Sequence, residues 1–186
     1  MCIGMTKDEL LSGFNFADQR EVDGLKLWLD DATLGTHRRK ALVIVGPMCC
    51  GKTTLLYRIA EYKGEAPCLY DGRGGIVPAK LSHRDTLRLY RELELCKVIL
   101  VNDLLVRSNE AMCQILKFAH GFKELILESR GMTKVCEFNI SAPIAVAVSA
   151  DCSERAERMV SECDHLGTER SPYLLVHPTI AKQKKG

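Results

Sequence analysis

No C-x-x-C pair occurs, although nine cysteines are spread along the chain at positions 2, 49, 50, 68, 96, 113, 136, 152 and 163. This scatter gives a structural zinc site little support. Cys68, Cys96 and Cys113 fall within apolar periodicity and should behave as small hydrophobes, with reduced thiols the expected state. No apolar run approaches the length that spans a bilayer, so no membrane contact is expected. The opening MCIGMTKDELL lacks the basic-then-apolar order of a signal peptide, which points to a cytoplasmic place. An excess of one charge is also missing. Twenty-six Lys and Arg against 24 Asp and Glu leave a formal charge of +2, so overall charge implies no nucleic acid and only a local basic patch could. No repeat and no low-complexity linker divides the 186 residues, which suit one domain with a single sizeable core.

Hydrophobic periodicity predicts alternating strands and helices. Thr6 to Glu9 has capping-box spacing ahead of a short helix, and a second helix is expected over Gln19–Thr33 with Val22, Leu25, Trp28 and Leu29 on one face. ALVIV, PCLYD, KVILV, PIAVAVSA and YLLV read as strands. Lys52–Glu61, the stretch from Ser82 through Leu95, a segment capped by Ser108 and SERAERMVSE read as helices. ELILESRGMTKVCEFNI reads as two strands around a turn near Gly131. Strands apolar on both faces, separated by helices, predict an α/β fold: a parallel five-stranded sheet covered on two sides, with its ligand at the carboxyl ends of the strands. The expected organisation is a helical extension over 1–39, a core over 40–178 and a basic tail over 179–186.

The most specific signal lies at the end of ALVIV. Gly46, Pro47, Met48, Cys49, Cys50, Gly51, Lys52 and Thr53 fit G-x-x-x-x-G-K-[ST], with a strand before and a helix after. Glycines let successive N–H groups turn inward, and these donors with the positive end of the helix cradle phosphate oxygens. The expected nucleotide-binding set runs from Gly46 through Thr54. Lys52 should reach the β- and γ-phosphates, and the Thr53 hydroxyl should serve Mg2+ beside ATP. Cys49 and Cys50 either fill space or present a thiol activated by the helix N-terminus and open to oxidation.

KVILVNDLL places Asn102 and Asp103 at the end of a buried strand. A nucleotide hydrolase needs a carboxylate there, and Asp103 is either the metal carboxylate or the base that orients water. Arg73 and Lys80 read as solvated loop residues, and Arg84, Arg88 and Arg91 as a solvated helix face.

From Lys40 to Val176 the order of these segments resembles that of AAA+ ATPases. GPMCCGKT matches the Walker A motif, and VILVND resembles Walker B with Asn-Asp in place of Asp-Glu. APIAVAVSA resembles the strand that ends in sensor 1, with Ser149 at the position that touches the γ-phosphate or the attacking water. HLGTERSPYLLV resembles the segment that supplies an arginine finger to a neighbouring subunit. Arg170 falls there, with Glu169 replacing the usual serine. The resemblance implies Mg2+-dependent ATP hydrolysis in a homo-oligomeric ring such as a hexamer, with Lys52, Asp103, Ser149 and Arg170 catalytic and Thr53 and Asp103 at the metal. The family's helical lid is missing or reduced here, and the amino-terminal helices would take its place over the adenine.

FKELILESRGMTKVCEFNISAP resembles, in position and length, the hairpin before sensor 1 in ring helicases of the superfamily 3 and minichromosome-maintenance kind. That hairpin enters a central channel and touches DNA. Arg130 and Lys134 near the expected tip suit phosphate contacts and imply no base reading. The leading expectation is therefore a ring ATPase acting on nucleic acid with protein partners, as helicase, helicase loader or remodelling motor. A small-molecule kinase and a nucleotide-gated binding protein with poor hydrolysis are the alternatives.

Overall fold

The computed structural model describes residues 5–30, 41–65, 69–74, 82–107, 115, 122–129, 132–140, 142–165 and 173–181; for 122–129, 132–134, 139 and 162–165 it describes the main chain alone. The helices are α1 (Lys7–Leu11), α2 (Gln19–Leu29), α3 (Lys52–Tyr62), α4 (His83–Leu95) and α5 (Ser153–His165). The strands are β1 (Phe14–Asn15), β2 (Ala41–Ile44), β3 (Leu69–Asp71), β4 (Ile99–Leu104), β5 (Phe122–Ser129), β6 (Met132–Asn139), β7 (Ile144–Val148), β8 (Tyr173–Val176) and β9 (Thr179–Ile180).

Helix starts follow local chemistry. The Thr6 hydroxyl accepts from the Glu9 N–H at 3.2 Å while the Glu9 carboxylate accepts from the Thr6 N–H at 2.7 Å, a complete capping box for α1. Asp18 caps α2 and Ser82 caps α4, each accepting from the N–H three residues on. The helix expected over Gln19–Thr33 ends at Leu29, with Asp30 as its cap. The helix expected after Ser108 lies outside the described residues except for Ile115, which is buried.

Five strands form one parallel sheet in the order β3-β4-β7-β2-β8, as the sequence pattern predicts. Helices cover both faces because alternate residues of each strand point oppositely. Ala41, Val43 and Val45 of the β2 segment join Ile99, Val101, Ile144, Val146 and Val148 beneath Leu93 of α4 and Ala156 and Val160 of α5. Leu42, Ile44, Leu100, Ala145 and Ala147 face the other way, against Leu55, Leu56 and Ile59 of α3. Leu10 and Leu11 of α1 and Leu25, Trp28 and Leu29 of α2 pack into that same layer, so the amino-terminal helices belong to the core of the sheet.

The predicted hairpin is present. β5 and β6 pair antiparallel from Phe122↔Asn139 to Ser129↔Met132. Eight residues per strand give it a reach of about 25 Å. Its base is anchored where Phe138 meets Tyr90 of α4 edge to face, ring centroids 5.1 Å apart, and the burial there pushes the Tyr90 phenol above its ordinary range. One pairing was not foreseen. β1 and β9 form a separate two-stranded ribbon, so the segment read as a tail begins with a strand. Among the described residues no helix is long and apolar enough to cross a membrane.

Because α2 shares the sheet's core, Leu25→Ala should lower the stability of the whole chain by about 2–5 kcal/mol in urea unfolding, with one cooperative transition retained. A separate early transition would show instead that α2 is an independent appendage.

Candidate functional site

The loop after β2 occupies the carboxyl edge of the sheet. Gly46, Cys49 and Gly51 all have positive φ, at 136°, 61° and 104°. Such residues turn successive amides toward one side and build an anion-binding concavity. Gly51 is the residue immediately before α3, and two constraints select glycine there. Its φ is in the left-handed region, and an added Cβ would stand 2.9 Å from Phe14 Cε1 and 2.9 Å from Ile180 Cγ1. Pro47, Met48, Cys49 and Thr54 are exposed, whereas Cys50 is buried beneath Gly46.

The Lys52 ammonium donates to the Gly46 carbonyl at 2.6 Å and the Pro47 carbonyl at 2.8 Å, and lies 3.9 Å from Cys50 Sγ. Lys52 therefore folds back across the loop it follows. The Thr53 hydroxyl donates to the side-chain oxygen of Asn102 at 2.9 Å. The sequence reading paired Thr53 with Asp103; in the structure the residue that meets Thr53 is Asn102.

Leu100 faces α3, so alternation along β4 puts Asn102 on that same side, and a bulge follows it. Val101 pairs with Val146 and Leu104 with Val148, so Asn102 and Asp103 together oppose Ala147 alone. The extra residue is accommodated by φ of 58° at Asp103, and a bulge re-aims the side chains at its site. Asp103 turns toward Arg73, whose Nε lies 3.2 Å from its carboxylate and 3.4 Å from that of Asp71. Both side chains of the Arg73–Asp103 pair are substantially exposed, so the tie is worth at most about 1 kcal/mol. It holds the aspartate without locking it.

Gly72 makes this arrangement possible. It is buried, and an added Cβ would lie 2.7 Å from Leu104 Cα and 2.9 Å from both Asn102 O and Leu104 N. Gly72 therefore packs main chain against main chain at the bulge.

At the end of β7 the Ser149 N–H donates to the Leu104 carbonyl at 2.9 Å, joining this strand end to the bulged one. The Ser149 hydroxyl donates to Asp151, and that bond, ahead of the charge of Arg107, holds the Asp151 carboxyl below its ordinary 3.8. Ser153, which the sequence reading passed over, accepts from the Gly46 N–H at 3.1 Å and donates to the Gly46 carbonyl at 3.0 Å. One buried hydroxyl at the start of α5 thus fixes the first residue of the loop. Its position in SERAERMVSE, just after a strand-end turn, was the available signal.

Residues 49–54 and Ile180 line a cavity of about 270 Å3 at this edge. The donor set fits a polyphosphate: left-handed loop residues, an eleven-residue helix beginning at Lys52 and an ammonium within the loop. It is less suited to a divalent cation than the sequence suggested, because the group beside Thr53 is a neutral amide and Asp103 is paired with Arg73. No cluster of three His, Cys, Asp or Glu able to hold a metal occurs among the described residues. Arg170 and Arg130 lie outside the described residues. Lys134 is placed only by its main chain, opposite Leu127 in the hairpin.

Comparison with models of known protein families and with curated protein sequences gives no match.

Gly72→Ala should cost about 1–3 kcal/mol in urea unfolding by displacing the bulge. Arg73→Ala, which removes only the exposed ion pair, should cost less than about 1 kcal/mol. Equal effects would overturn the assignment of Gly72 as the packing constraint.

Proposed function

We propose that this chain binds a nucleoside triphosphate at residues 46–54 and hydrolyses it as an AAA+-like ATPase that acts, as a ring, on nucleic acid. The observation that carries the reading is the hydrogen bond from Thr53 to Asn102, which joins the helix after the phosphate loop to the end of β4. The strand order supports it as well. β7 lies between the loop strand β2 and β4, so Ser149, the bulge and the loop meet at one edge.

In this reading the triphosphate rests on the amides of residues 46–53, and the Lys52 ammonium exchanges the Gly46 and Pro47 carbonyls for phosphate oxygens. Thr53 and Asn102 would hold Mg2+, which neutralises phosphate charge when bound. Asp103, released from Arg73, accepts the proton of the attacking water. Ser149 offers its hydroxyl to the transferring phosphate in place of Asp151. Arg170 in a neighbouring subunit would spread its charge over the transition state, and Arg130 and Lys134 would carry the hairpin onto phosphates of the polymer.

A second reading, nucleotide-gated binding with slow turnover, is favoured by the neutral Asn102 and by the pairing of Asp103 with Arg73. Calorimetry and phosphate release separate the readings. Lys52→Ala should weaken ATP binding at least tenfold. Asp103→Asn should retain ATP binding and lower kcat at least a hundredfold. Asn102→Asp should raise Mg2+-dependent turnover severalfold. ATP binding without phosphate release, with and without single-stranded DNA, would establish the gated binder. Consumption of ATP only with a small acceptor would establish a kinase. In a motor, Arg130→Ala with Lys134→Ala should abolish stimulation by DNA and leave basal turnover intact.

A further inference from the structure

The cavity at the phosphate loop has one wall that the loop itself does not supply. Ile180 of β9 lines it together with residues 49–54. It is 54% exposed and lies on a short strand near the end of the described chain. The ribbon that presents it is built rigidly. Phe14 pairs with Ile180 and Asn15 with Thr179, and the Ala181 N–H donates to the Gly13 carbonyl at 2.9 Å. Arg58 of α3 stacks its guanidinium 5.1 Å from the centre of the Phe14 ring and donates to carbonyls at the end of α1, that of Leu10 at 3.0 Å. On the other side, Glu21 of α2 accepts from the His177 N–H at 3.0 Å and meets the His177 ring at 2.5 Å, which fixes the chain just before β9. Phe14 is thereby committed to Arg58, and Ile180, which lies beside Gly51, is the apolar side chain of the ribbon that lines the cavity.

We infer that the β1–β9 ribbon forms the nucleobase side of the site, with Ile180 as its contact surface, and that the site accepts ATP and GTP with little discrimination. The inference rests on the reading of the loop as a triphosphate site. With phosphates on the amides of the loop, the rest of the nucleotide occupies the remaining cavity beside the first turn of α3, bounded by Thr54 and Ile180. Among the described residues lining the cavity, Lys52 is the one charged side chain, and it belongs to the phosphates. Thr54 offers a hydroxyl that donates or accepts by rotation, so it suits either purine edge. Strong discrimination requires buried polar groups that the wrong base leaves unpaired, and an isoleucine surface has none. The expected outcome is a base held by apolar contact and selected by size.

The test is calorimetric titration of the full chain with ATP, GTP, CTP and inorganic tripolyphosphate in Mg2+, using the wild type, Ile180→Ala, Ile180→Asp and Lys52→Ala. The expected result is equal ATP and GTP affinity within about fivefold, and weaker CTP binding. Ile180→Ala should weaken ATP and GTP alike by about three- to tenfold, Ile180→Asp by more, and neither should change tripolyphosphate binding. Unchanged ATP affinity in both Ile180 variants, or ATP and GTP affinities more than tenfold apart, overturns the inference and leaves the triphosphate site standing. Absence of tripolyphosphate binding together with no effect of Lys52→Ala overturns the triphosphate site itself. Tripolyphosphate serves as the folding control: retained binding in the Ile180 variants shows that the loop survives the loss of the side chain beside Gly51.

Discussion

One hydrogen bond organises the carboxyl edge of this sheet: the Thr53 hydroxyl to the Asn102 side chain, 2.9 Å long. It exists because Asn102 stands two residues after Leu100, which faces α3, and so leaves β4 on the same side. In an unbulged strand, adjacent side chains leave opposite faces of the sheet. The left-handed turn at Asp103 breaks that alternation after Asn102 and turns Asp103 to Arg73. Gly72 lies against the same main chain and admits no side chain. The bulge and the glycine are thus a single packing solution. Its energetic weight lies in the buried main-chain contact rather than in the exposed ion pair.

The loop is held by the same economy. Ser153 spends one hydroxyl on both polar groups of Gly46, and Cys50 fills the space under that glycine. Both faces of β2 are buried, so the strand that ends at the loop has little freedom to shift. The loop's starting point is therefore rigid, while Lys52 is held by carbonyl contacts that an anion could replace. A rigid frame with an exchangeable cation is the arrangement that phosphate recognition asks for.

The neutral Asn102 changes the electrostatics of the edge more than its shape. An amide oxygen accepts the Thr53 hydroxyl as a carboxylate would, so the geometry survives the loss of charge. What diminishes is attraction for a divalent cation, which hard oxygen anions supply. Asp103 keeps a carboxylate one residue away, in an exposed pairing that costs little to break. The arrangement leaves binding and turnover separable, which is why both readings of the function remain physically coherent.

Local pattern was enough for the parallel sheet, the helix caps at Thr6 and Ser82, the hairpin and the loop between β2 and α3. Each of these depends on residues close together in the chain: alternation of apolar side chains, a capping hydroxyl, glycines at fixed spacing. Tertiary structure alone decided that Asp103 turns to Arg73, that Ser153 holds Gly46, that Gly72 supports the bulge and that Ile180 faces the cavity. A bulge is a mismatch between two strands and has no signature in either one. The Ser153–Gly46 and Phe14–Ile180 contacts join segments more than 100 residues apart, and only the assembled sheet brings them within reach.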